Sequence, residues 1–479
     1  MEQTSEKIYK NRMLILFNIV LMTFMATLDS SIINVALPKM SESLSVSNQS
    51  IAWVVSSYLI VISGSILVFG RLGDMKGKTN IFHIGVVIFT IGSLICGISQ
   101  SFLMLIVARC LQAVGAAATM ANNQGIITHV FPANERGKAL GISGAFVALG
   151  SLTGPPVGGF IITHFSWEFI FLINVPIGLF VFFLGLKILP KSNKTVGERL
   201  DGFGASLFAI SIVALFGSLI IGEHYGYKHP SILIGLFSSL VSFVIFIIIE
   251  RKVRHPLLQL DIFKNGLFSL SIFCAFITFV AISSSLIIQP FYLQNVMKFT
   301  PAFTGIIMAV NPLIMAVAAP ASGHLSDKIG SEFLTFVGLV IFSIGLFLMS
   351  TLTETSSITA MVIYLVIMSL GTSLFQSPNN SLIMSSSSKN MLGITGSVNA
   401  LIRNLGMITG TSISVLILYN RMSSKIGYEV STYIEGREDI FIYGMRWVYL
   451  FSFVICILGS VLTAFRLLNR KRSQHKYRK

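Results

Sequence analysis

Residues 70–78 read GRLGDMKGK, and residues 323–330 read GHLSDKIG. Both carry the pattern G-x-L-x-D-x-x-G, and each stands directly behind a long apolar run, at 51–70 and at 303–321. A short polar motif recurring at matching places in two hydrophobic halves points to internal duplication of a membrane-spanning unit.

The rest of the chain fits that reading. Of 479 residues, 53% are hydrophobic and 11% charged, against about 25% charged in a soluble domain, and the mean hydropathy is +0.80. A water-soluble enzyme is excluded on composition. About 20 apolar residues are needed for a helix to cross the hydrocarbon. Runs of that length lie near 13–37, 51–70, 80–98, 102–123, 138–162, 168–189, 203–221 and 231–249. Six more lie near 268–294, 303–321, 333–352, 357–380, 396–418 and 446–466, which makes fourteen. The first run is longer than the 7–15 residues of a signal-peptide core, so it reads as a retained span.

The repeat pairs span two with span ten, a shift of eight. With six helices to each half, two spans are left between them. The expectation is an all-α membrane protein arranged as 6+2+6. Residues 1–190 form an amino-terminal six-helix bundle, 191–262 hold two inserted helices with basic flanks, and 263–479 form a second bundle with a basic tail.

Charge orients the spans. The formal net charge is +15, from 34 Lys+Arg against 19 Asp+Glu. With both termini and the even-to-odd loops inside, 25 Lys and Arg fall on the cytoplasmic side and seven outside: Lys39, Lys228, Lys298, Arg421, Lys425, Arg437 and Arg446. That is the asymmetry of the positive-inside rule. Basic loops and tail then face anionic lipid, and a nucleic-acid partner is not indicated. The outside segment 419–445 carries four acids and reads as a small folded element or a solvated connector. Cys96, Cys110, Cys274 and Cys456 all sit within apolar runs and behave as small hydrophobes, with no disulfide or metal framework.

Gly77-Lys78-Thr79 ends like a phosphate-binding loop, but G-x-x-x-x-G-K-[ST] requires glycine at position 72, which is Leu72. No cofactor is expected, and the energy source is an ion gradient.

Asp29 is the one acid well inside a span. Burial at that depth costs about 2.5–3.5 kcal/mol on insertion scales, and such residues mark ion or substrate pathways. At about 100° per residue, Asn18, Met22, Met25 and Asp29 share a stripe whose carboxylate, amide and thioethers suit a cavity for bulky apolar cations. The plainer reading is a structural acid bonded to neighbouring helices. Arg109 lies in the fourth span with Gln112 and Asn123 on its face, as a proton-relay group or an interhelical anchor. Arg403 in span thirteen either lines a cavity or snorkels.

Further candidates are structural or polar. Gly150, Gly154 and Gly158 recur every four residues beside Pro155 and Gly159, a small face for close helix packing. Gln376 and Asn379 flank a helix-breaking Pro378 near the inner end of span twelve, where they either line the inner cavity or cap the helix. In the two motif loops, Gly70, Arg71, Asp74, Gly77, Lys78, Gly323, Asp327 and Gly330 are candidates for gating. Asp74 either bridges to arginines or binds a helix amino terminus, the plainer reading being ordinary loop solvation.

These strings resemble the drug:proton antiporters of the major facilitator superfamily, in the fourteen-span branch that includes QacA and EmrB. LDSSIINVALP at 28–38, with Asn34, is similar to that branch's first-span motif, and 70–78 to the superfamily loop motif. Arg109, Gln112 and Gly115 match its fourth-span motif, and Gly150–Gly159 its antiporter motif; Trp167–Gly178 and Gln376–Asn380 are similar as well. The resemblance implies two six-helix bundles, alternating access, and proton-driven efflux of lipophilic, mainly cationic drugs from a bacterial plasma membrane, giving multidrug resistance. Its partners would be those small molecules, protons and membrane lipids, with a monomer as the working form. Span ten holds Asn311 and Pro312 but no carboxylate, which argues against divalent-cation export. Two alternatives stand beside this: export of an endogenous lipid, siderophore or metabolite, and a non-transporting scaffold or receptor.

Overall fold

The computed structural model of the chain describes residues 9–46, 51, 53–190, 200–225, 229–253, 256–258, 260–299, 301–387, 391–430 and 433–477. The side chains of Asn34 and Pro155 lie outside the described set, as do the basic residues Lys191, Lys194 and Arg199. Fourteen helices among the described residues are long and apolar enough to cross a membrane. In chain order they are α1 (Arg12–Ser43), α2 (Trp53–Lys76), α3 (Lys78–Gly97), α4 (Phe102–Val130), α5 (Arg136–His164), α6 (Phe169–Ile188) and α7 (Gly202–Tyr225). There follow α8 (Pro230–Glu250), α9 (Gly266–Val296), α10 (Phe303–Ile329), α11 (Ser331–Met349), α12 (Ile358–Ser385), α13 (Leu392–Ile426) and α14 (Glu438–Tyr477). Each run satisfies its own backbone internally, the condition for spanning hydrocarbon.

The chain divides into two compact units. One holds the described residues of 1–139, 146–265 and 384–401; the other holds 140–145, 266–383 and 402–477. In the first unit α3 packs most extensively on α4, and α2 also lies along α4. The two central helices, α7 and α8, pack on each other, and α7 rests on α2. In the second unit α14 packs on α11 and α9.

Four expectations of local structure are corrected. The repeated motifs are not loops: Gly70–Lys76 is the last part of α2, and Gly323–Ile329 the last part of α10. The chain then reverses through one residue, Gly77 or Gly330, each at φ 96°, a conformation that a Cβ disfavours. The tenth span is interrupted at Ala309, between helical pieces Pro301–Met308 and Val310–Ile329. Pro378 does not end its helix, since α12 continues to Ser385. The outside connector is also shorter than 419–445. Elongating an existing helix is far easier than nucleating a new one, so α13 runs on through its polar end to Ile426, and α14 begins at Glu438.

Candidate functional site

The first unit buries an ion pair. Ser101 caps α4 by accepting the Met104 N–H at 3.3 Å, and two turns later Arg109 points into the unit with its guanidinium 1% exposed. Gln112, one turn further on, shares that face. Arg109 Nη1 donates to Asp29 Oδ2 at 2.7 Å and to Gln112 Oε1 at 2.5 Å, and its Nε donates to the Val54 carbonyl at 3.1 Å. The guanidinium carbon lies 4.0 Å from the Tyr58 ring centroid and 5.7 Å from that of Phe171, both within cation–π range.

The second carboxylate oxygen is equally occupied. Asp29 Oδ1 accepts from Gln112 Nε2 at 2.9 Å and from Asn174 Nδ2 at 2.7 Å. Gln112 Nε2 also donates to Ser93 Oγ at 2.8 Å. One carboxylate thus collects donors from α4 and α6, while its arginine partner reaches α2. Asp29, Arg109, Gln112 and Asn174 are all essentially removed from solvent. Replacing a well-made buried pair by apolar groups is often close to neutral, but removing one partner costs about 3–5 kcal/mol, because the other charge stays buried. The network is therefore sensitive to anything that changes the charge on Asp29. Protonating that carboxylate, or presenting it with another cation, takes away the counter-charge of Arg109.

α5 reaches this part of α1 through its glycines. A Cβ on Gly150 would run into Thr27, one on Gly154 into Ser31, and one on Gly158 would stand 2.8 Å from Ile32. Ser31 Oγ donates to the Gly150 carbonyl at 3.1 Å. The small face expected of α5 is thus in contact with the segment that carries Asp29. Gly159 is apart from it, with nothing within 4 Å of where a Cβ would stand.

The remaining candidates are dispersed. Asn18 donates to the Val181 carbonyl at 2.8 Å and fastens α1 to α6, away from the carboxylate. Met22 and Met25 are fully buried. Asn123 donates to Thr23 Oγ1 at 2.8 Å. Asn379 is buried and donates to the Ser271 carbonyl at 3.0 Å. Asn311, Gln376 and Arg403 are half-buried.

At the α2–α3 reversal, both Asp74 oxygens accept backbone N–H groups, from Gly393 at 2.9 Å and Ile394 at 2.9 Å. Of the two options for Asp74, its geometry is that of a carboxylate on a helix amino terminus, here α13, where orphan N–H groups and the helix dipole favour negative charge. Lys78 Nζ sits 2.7 Å from Asp74 Oδ1. Arg71 is buried, and Asp327 is half-buried in the matching part of α10.

Sequence reasoning did not single out Asn174, Tyr58 or Ser93. Asn174 stands inside the 167–178 string, and an amide opening a strongly apolar run was the available signal. Nor did it find the neutral network of the second unit, where Ser414 Oγ donates to Ser284 Oγ at 2.7 Å and Ser283 and Thr411 are 2.7 Å apart. Gln289 bonds Ser285 there, and Ser285 lies 3.4 Å from the Tyr449 hydroxyl.

Comparison with known proteins agrees with the fold. The riboflavin transporter RibZ of Clostridioides difficile is 34% identical over 464 residues, covering 95% of this chain and 98% of that protein. The multidrug resistance protein Stp of Mycobacterium tuberculosis is 30% identical over 404 residues, 84% of this chain and 75% of that one. Among solved structures, the proton:xylose symporter XylE aligns with a TM-score of 0.63 at 14% identity, over 93% of this chain and 94% of that one, a likeness of fold alone. The profile of one family, described as Major Facilitator Superfamily, matches residues 19–411. With fourteen membrane-length helices among the described residues and a buried charge pair in the first unit, the chain belongs to that superfamily: it is a multi-pass plasma-membrane transporter of small molecules.

Proposed function

We propose that this transporter is a proton-coupled exporter of lipophilic, mainly cationic compounds, working by alternating access and contributing to multidrug resistance. The observation that carries this reading is the buried Asp29–Arg109 pair, in which the carboxylate uses both oxygens on Arg109, Gln112 and Asn174. Arg109 acts as the resident counter-cation. A proton on Asp29 displaces it electrostatically, and a cationic substrate approaching the carboxylate competes with it, so the two ligands exclude one another at one acid. Arg109 and Gln112 relay that change to α2 and α3 through Val54 and Ser93. Asp74, clamped on the amino terminus of α13, holds one side shut until the helices shift. Both termini lie in the cytoplasm in this scheme, two six-helix bundles move about a central pair, and the monomer is sufficient. The multidrug-resistance name of a 30%-identical relative supports the direction of transport.

Everted vesicles carrying the protein should release protons when ethidium is added. Asp29→Asn should abolish both proton release and gradient-driven ethidium movement. Full gradient-driven transport by Asp29→Asn would sink the coupling scheme.

A second reading is transport of an endogenous solute. It is favoured by the riboflavin transporter, which matches this chain over almost its whole length at 34% identity. Measuring ethidium and riboflavin fluxes in the same vesicles separates the two. Riboflavin flux without ethidium flux selects the second.

A further inference from the structure

In the second unit, α13 and α14 leave a crevice of about 480 Å³. Leu416, Leu450 and Val454 make it apolar, and Asn420, Arg421 and Trp447 stand at one end. Leu416 and Val454 are 57% and 60% exposed, and no described segment covers them. The polar end is built as a ladder of cations on aromatic rings. The Arg421 guanidinium carbon lies 4.3 Å from the Trp447 ring centroid. One turn along both helices, Lys425 Nζ lies 5.4 Å from the Tyr443 centroid. The two rings are 6.4 Å apart and nearly perpendicular.

Depth and charge say what fits. From Val448 to Phe465 α14 carries no charged residue, a length of about 27 Å at 1.5 Å per residue. That is close to the hydrocarbon thickness, so Trp447 and Arg421 stand at headgroup level. Arg446 adds a third cation beside Trp447. Of the nearby acids, Glu438 is paired with Lys298 at 3.0 Å, and Asp439 with Arg437 at 3.0 Å, on the Lys425 side of the ladder. No ion pair joins Arg421 or Arg446 to a described carboxylate. A guanidinium held over an indole can still present N–H donors to phosphate oxygens, which it binds in a fork. A headgroup ammonium would meet repulsion here rather than an acid.

We propose that this crevice binds one phospholipid of net negative headgroup, with its phosphodiester on Arg421 and Asn420 and an acyl chain along Leu416, Leu450 and Val454. The bound lipid fills the crevice between α13 and α14. This site is independent of the transport scheme and of Asp29.

Trp447 supplies the reporter, because the chain has only three tryptophans. In a Trp53→Phe, Trp167→Phe background, quenching by acyl-brominated phosphatidylglycerol is compared with quenching by brominated phosphatidylcholine in mixed vesicles. Phosphatidylglycerol should bind about fivefold more tightly at this site, the effect of one basic group on an anionic lipid. Arg421→Gln should bring the ratio to about one, and Arg421→Lys should restore part of it. Equal affinities before the Arg421 change, or a preference that survives Arg421→Gln, overturns the proposal. Native mass spectrometry of the detergent-purified chain with all tryptophans in place gives a second reading. One phosphatidylglycerol fewer is expected to be retained by Arg421→Gln, and an unchanged number refutes the site.

Discussion

Neutralising either half of the buried pair should destabilise the protein more than neutralising both. Asp29→Asn leaves the Arg109 guanidinium at 1% exposure, with the Val54 carbonyl and Gln112 Oε1 as its neutral acceptors. Arg109→Gln leaves a buried carboxylate held only by the amides of Gln112 and Asn174. Each single change strands a charge and should cost about 3–5 kcal/mol. The double variant carries no stranded charge and keeps two neutral side chains of similar volume. Its cost should fall below that of either single change, with a coupling energy at or above the upper end of the usual 0.5–3 kcal/mol for interacting neighbours. The assay is a double-mutant cycle by SDS-induced unfolding of detergent-solubilised protein, followed by near-ultraviolet circular dichroism. Additivity within about 0.5 kcal/mol would show that the two residues do not interact. The double variant should also fail to couple flux to a proton gradient while remaining folded, which separates stability from coupling.

Two further outcomes are expected. Asn174→Leu removes a donor from Asp29 Oδ1 and leaves a buried acceptor short of one bond. A loss of about 1–3 kcal/mol follows, together with weaker proton coupling than wild type; unchanged unfolding and flux would show the bond to be idle. Gly77→Ala and Gly330→Ala each force a side chain into φ 96°, at about 1–3 kcal/mol. Both should lower the unfolding midpoint by similar amounts, and a rise in either would refute the claim that these reversals need glycine.

Much of the site was visible residue by residue. Asp29 stood out because a carboxylate is costly in hydrocarbon, and Arg109 because a guanidinium needs an acceptor there. Their partnership was not visible. They lie 80 positions apart, and a stripe calculated along one helix assigns Asp29 to a face without saying which helix meets it. Asn18 shows the limit: it shares the stripe with Asp29, yet its amide bonds the Val181 carbonyl, 163 positions away. Asn174 was passed over because an asparagine opening an apolar run has many uses, and only its 2.7 Å contact with Asp29 selects one. The polarity of the motif at 70–77 mimics a loop; in the structure it stays helical because hydrogen bonds from α13 to Asp74 offset the burial of polar groups at that end.

Hydrophobic run length is a property of the chain and the solvent, so the number of spans follows from order alone. Fourteen helices are there because about 20 apolar residues have one stable way to satisfy their backbone in lipid. Which helices touch is a different matter, decided by packing among near-equivalent apolar faces. Lipid is as apolar as leucine, so hydrophobicity ranks no helix pair above another. Close approach at Gly150 and Gly154, and the need of buried donors and acceptors to find each other, select the arrangement. Only the tertiary structure could therefore join Asp29 to Arg109, Gln112 and Asn174, and set Asp74 on the first turn of α13.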